Sequence, residues 1–74
     1  MNKKQKDRCS DILQFPKSNE KLLITIEEAD NKYYVVRIKD GVIKRISTGY
    51  TAKGIEKEYT STIKTYQSIG FVKL

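Results

Sequence analysis

Residues 21–50 read KLLITIEEADNKYYVVRIKDGVIKRISTGY, and the spacing of their apolar positions decides the fold. Leu22, Ile24 and Ile26 fall on one side of an extended chain while Leu23, Thr25 and Glu27 fall on the other, the period of two that marks a strand. Asp30-Asn31-Lys32 supplies turn residues, and Tyr33 to Lys39 resumes the alternation with Tyr34, Val36 and Ile38 on one face. A three-residue loop at 30–32 pairs Ile26 with Val36 and Ile24 with Ile38. A two-residue loop sends the two apolar sets to opposite faces, so the longer loop is expected. Asp40-Gly41 is the strongest hairpin signal, because a type I′ turn needs positive φ at both central positions. With that turn Ile38 faces Ile43, and strict alternation then carries Ile46 to the wrong side. One extra residue near Lys44-Arg45 repairs this, which predicts a β-bulge with both basic side chains in solvent.

Past Gly49 the period changes. Ala52, Ile55, Tyr59, Ile63 and Tyr66 follow spacings of three and four, a single apolar stripe on a helix from about Ala52 to Ser68. Thr51 is the expected N-cap and Gly70 the left-handed residue that ends the helix. Phe71 to Leu74 either adds a short strand or covers the core edge. Upstream, residues 1–19 form a polar, lysine-rich leader with a small apolar cluster at Ile12, Leu13 and Phe15 before Pro16. Three apolar residues do not offset the ordering entropy of the segment, so it is expected to be largely flexible. The expected fold class is α+β: residues 20–74 make one βββα domain, a three-stranded antiparallel sheet with an optional fourth strand at the C-terminus, and the helix on one face.

The composition excludes several function classes. The chain has 74 residues, one cysteine and no histidine. A lone Cys9 makes no internal disulfide, which suits a reducing, cytoplasmic compartment, and it lacks a histidine base to become a nucleophile. Common zinc ligand sets are missing, and no apolar run approaches the ~18 residues of a membrane span. Glu27 and Glu28, adjacent on a strand, point to opposite faces and do not act as a carboxylate pair. Glu56 and Glu58 lie two apart on the helix and do not face each other. No catalytic residues, metal ligands or cofactors are expected; the chain does not read as an enzyme.

Charge is the positive signal. Fifteen basic and nine acidic residues give +6, distributed as +3 over residues 1–17, −3 over 18–31, +5 over 32–53 and +1 over 54–74. Strand parity places Tyr33, Val35, Arg37 and Lys39 on the face away from Tyr34, Val36 and Ile38, the bulge adds Lys44 and Arg45, and Lys32 borders them at the turn. Basic side chains with an aromatic on an open antiparallel face contact phosphates and reach base edges, so Lys32, Tyr33, Arg37, Lys39, Lys44 and Arg45 are the candidate nucleic-acid-binding residues. A lysine-rich, merely solvated surface is the plain alternative.

The segments Tyr33 to Gly41 and Lys44 to Lys53, with their order of strand, Asp-Gly turn, basic strand, Gly-Tyr-Thr and helix, resemble the AP2-like, arm-type DNA-binding domain of phage and transposon integrases. The resemblance implies a sheet lying on DNA with a helix behind it, a mobile-element setting, and Arg37, Lys39, Lys44 and Arg45 as DNA contacts. The leading expectation is a small non-enzymatic nucleic-acid-binding protein. Its rival is a protein-binding module or inhibitor of a host protein, docking an acidic partner through the same face or pairing through an exposed strand edge.

Overall fold

The structure is a computed structural model that describes residues 10–74. It confirms the α+β class but with more strands: β1 (Ser10–Phe15), β2 (Glu20–Ala29), β3 (Lys32–Lys39), β4 (Val42–Gly49), α1 (Ala52–Ser68) and β5 (Val72–Lys73). The sheet has five antiparallel strands in the order β4-β3-β2-β1-β5, and α1 packs on one face of it.

β1 lies in the segment that the sequence assigned to the leader. Its stretch Ser-Asp-Ile-Leu-Gln-Phe pairs with β2 on one side and β5 on the other, so its backbone groups are satisfied along both edges. Leu13 is wholly buried and Phe15 stacks on Phe71 with ring centroids 5.1 Å apart. The link to β2 is the four-residue stretch Pro16–Asn19, closed by Asn19 N–H donating to the Phe15 carbonyl at 2.8 Å. Asn19 sits at φ 60°, a left-handed position its short amide tolerates. The expectation of a mobile leader otherwise falls on residues 1–9, outside the described residues, together with Cys9.

The β2–β3 loop corrects the expected register. Ala29 pairs with Lys32, which leaves a two-residue turn, Asp30-Asn31, with φ 55° and 62°. Both central residues are left-handed, as a type I′ turn requires, and Asx side chains bear that conformation at lower cost than others. The register therefore sets Ile26 opposite Val35 and Ile24 opposite Arg37. Every β3 side chain faces the side opposite to the one expected. The β3–β4 turn is as expected: Asp40 and Gly41 have φ 52° and 79°, and Ile38 faces Ile43.

The bulge falls one residue beyond the expected place. Val36 pairs with Arg45 and Val35 with Ser47, so Ile46 is the extra residue, turned toward the core. Its effect is to bring Gly49 beneath the helix start, where a Cβ would lie 3.3 Å from Ile55.

The helix begins and ends as its sequence dictates. Thr51 Oγ1 accepts from Gly54 N–H at 2.9 Å. At the other end Phe71 N–H donates to Tyr66 O and Gly70 N–H to Gln67 O, both at 3.1 Å, a Schellman closure with the Tyr66 and Phe71 rings edge to face at 5.2 Å. Ile55, Tyr59 and Ile63 bury the stripe against Leu13, Leu22, Ile24 and Val35. Gly70 has φ 116°, and a Cβ there would stand 2.6 Å from the Phe15 ring. Gly70→Ala is therefore expected to cost at least about 1–2 kcal/mol from backbone strain alone, read as a lowered chemical-denaturation midpoint.

Candidate functional site: the open face of the sheet

Since successive side chains alternate across a strand, the fully buried Val35 under α1 fixes the rest of β3. Tyr33, Arg37 and Lys39 share the helix side; Tyr34, Val36 and Ile38 share the other. Among the described residues no secondary-structure element lies over that second face.

The predicted site residues do not gather there. Tyr33 packs against the core. Arg37 Nη1 donates to the Tyr66 hydroxyl at 3.2 Å. Lys39 Nζ donates to Glu20 Oε2 at 2.8 Å, and this hydrogen bond raises the lysine pKa above its ordinary value. Lys44, directly opposite Arg37, takes the helix side as well. On the open face remain Arg45 and, at the rim, Lys32, whose ammonium stands 5.8 Å from the Tyr50 ring centroid. Arg45 Nε donates to Glu27 Oε1 at 3.0 Å, which raises its pKa, and its guanidinium lies over the Tyr34 ring at 4.1 Å. The expected basic face is thus split: Tyr33, Arg37, Lys39 and Lys44 on one side, Lys32 and Arg45 on the other. Both ion pairs are exposed and contribute little to stability.

What occupies the open face instead is apolar. Reading the pairings across the sheet, Ile43 neighbours Ile38, Ile38 neighbours Leu23, and Leu23 neighbours Ile12. Leu74 N–H donates to the Ile12 carbonyl at 2.9 Å, which brings the chain end alongside. One continuous row crosses the sheet from β4 to the strand edge beyond β5. Its outer members are well exposed: Ile43 67%, Ile12 47% and Leu74 65%. Val36, in the next row, is buried because Arg45, its cross-strand partner, reaches over to Tyr34. Lys21 stands at one end of the central strand's open face and Glu27 at the other.

The sequence carries a signal for this row. Leu22-Leu23-Ile24 and Val35-Val36 are consecutive apolar residues, and on a strand such runs mark apolar character on both faces. Ile12 and Leu74 were hidden because their strands are short.

Tyr59 donates its hydroxyl to Asp11 Oδ2 at 2.5 Å with the Ile24 carbonyl 3.0 Å away, a contact that ties α1 to β1 and β2. No group of three or more His, Cys, Asp or Glu that could hold a metal occurs among the described residues, and no helix there is long and apolar enough to cross a membrane. Comparison with protein-family models, curated proteins and solved structures finds no match to the chain.

Proposed function

We propose that the chain is a non-enzymatic protein-binding module that docks a partner protein on the open face of its sheet. The observation that carries this reading is the apolar row Leu74, Ile12, Leu23, Ile38 and Ile43, which crosses the sheet and leaves Ile43, Ile12 and Leu74 exposed. Contiguous apolar surface rimmed by charges is the usual mark of a protein contact, whereas a nucleic-acid face needs free cations. Flat contact with DNA through this face is not supported, since its cations are Lys32, Lys21 and the Glu27-paired Arg45. A photo-crosslinking side chain at residue 43 is expected to capture protein, and the same group at residue 42, equally exposed but on the helix side, is not.

A second reading retains nucleic acid by another route. Arg37, Lys39 and Lys44 meet at one corner of the helix side, and residues 1–9 carry a net +3. Titration of a labelled duplex at several salt concentrations tests it: Lys44→Ser should reduce the salt slope by about 0.9 if that lysine contacts a phosphate. Absence of binding at low salt removes this reading.

A further inference from the structure

We infer that the occupant of the open face is a second copy of this chain, packed sheet on sheet across a two-fold axis. The inference rests on the proposed protein-binding role of that face and names its partner.

Residues 1–9 are the wrong chemistry to cover the row. They hold four basic residues and one acidic one, and only Met1 and Cys9 are apolar. A second copy, in contrast, supplies apolar side chains and complementary charges from the same face. Consider an axis lying between the two sheets, parallel to the row and midway between the levels of Leu23 and Thr25. It places Lys21 opposite Glu27 of the partner subunit, and by the same operation Glu27 opposite the partner subunit's Lys21. Leu23 then rests on Thr25 of the partner subunit and Ile38 on Val36 of the partner subunit, while Ile43 meets the aliphatic stem of Arg45 of the partner subunit and Ile12 meets Ser10 of the partner subunit. The strands of the two sheets run nearly aligned, the arrangement that twisted sheets adopt in sandwiches. Isologous contacts of this kind, in which residue i meets j and j meets i, are the commonest way for a small protein to close an assembly.

The area fits a weak, transient dimer. β5 has only two residues, so the face is in effect four strands at roughly 4.8 Å by about seven residues at roughly 3.3 Å, about 450 Å² of plane per copy. The pair thus buries about 900 Å², in the range of weak and transient contacts rather than of permanent ones.

Sedimentation equilibrium of the full chain, from about 5 to 500 μM, tests the inference; the range brackets the affinity expected of so small an interface. A reversible monomer–dimer equilibrium is expected. Ile43→Lys and Ile12→Lys should each weaken association at least about tenfold. Their circular dichroism should not change. Val42→Lys, at a position 64% exposed on the helix side, should leave association intact. Lys21→Glu should weaken the dimer by setting carboxylates against each other across the axis. A chain that stays monomeric throughout, or a Val42→Lys variant as disruptive as Ile43→Lys, overturns the inference. If the monomeric chain is still crosslinked from residue 43 to a different protein in extract, only the second-copy inference falls. If residue 43 captures nothing, the protein-binding reading falls with it.

Discussion

Leu13→Ala is expected to lower the stability of the protein by about 2–5 kcal/mol. Leu13 has no exposed surface, and it lies beneath the helix in the same cluster as Ile24, Ile55, Tyr59 and Ile63. Truncating such a side chain removes its transfer free energy and leaves a cavity, together about 2–5 kcal/mol. A domain of this length has a total stability of only about 3–10 kcal/mol at the usual per-residue values. At mid-range values the loss takes roughly half of what is available, and the urea midpoint falls by a similar fraction. Urea denaturation followed by far-ultraviolet circular dichroism measures it. A variant whose midpoint matches the parent would place β1 outside the cooperative unit, as a flexible leader requires. Deleting residues 1–9, the polar start of the expected leader, gives the matching control: its midpoint should stay within error of the parent.

Val35→Lys and Ile38→Lys are expected to differ by more than any other pair of substitutions on one strand. Val35 is fully buried under α1, so a lysine there must either hold an ammonium group in the core or open the helix away from the sheet. Either course costs several kcal/mol beyond the lost packing, a loss comparable to the whole stability of the domain. Ile38 lies on the open face, where a lysine reaches water along its own stem and the fold persists. Backbone amide dispersion in NMR spectra reads the outcome: collapse for Val35→Lys, a native-like spectrum for Ile38→Lys. The expected three-residue loop reverses the assignment, with Ile38 in the core and Val35 outside. A folded Val35→Lys variant therefore sinks the two-residue turn and the placement of the site with it.

The parts of the fold legible in the sequence are those set by local geometry. The helix from Ala52 to Ser68, its Thr51 cap and its Gly70 terminus follow from a stripe at helical spacing and from residues whose backbone preferences have few alternatives. The Asp40-Gly41 hairpin is equally local. β1 was not legible, because Leu13 is a single core side chain on a six-residue strand whose neighbour on the same face, Asp11, reads as solvent-facing. Asp11 belongs there only because Tyr59, forty-eight positions away, donates to it. Polar residues with distant partners look like surface to any argument restricted to their neighbours.

The candidate site shows the same division. Sequence alone determined the composition of β3, two tyrosines, two valines, an isoleucine and alternating cations, and that one side of it would be buried. Which side was decided by tertiary structure. Consecutive apolar residues satisfy either parity almost equally well, so the choice passed to terms that the strand itself does not contain. One is the left-handed pair Asp30-Asn31, which shortens the loop. Another is Tyr66 on α1, which accepts the Arg37 hydrogen bond on the helix side. The third is the bulge at Ile46, which brings Gly49 beneath Ile55. A one-residue change in register exchanges the two faces of a strand completely. It therefore moved Arg37 and Lys39 beside the helix and turned Ile38 outward into the row with Ile12 and Ile43, and the exposed face is apolar rather than basic for that reason.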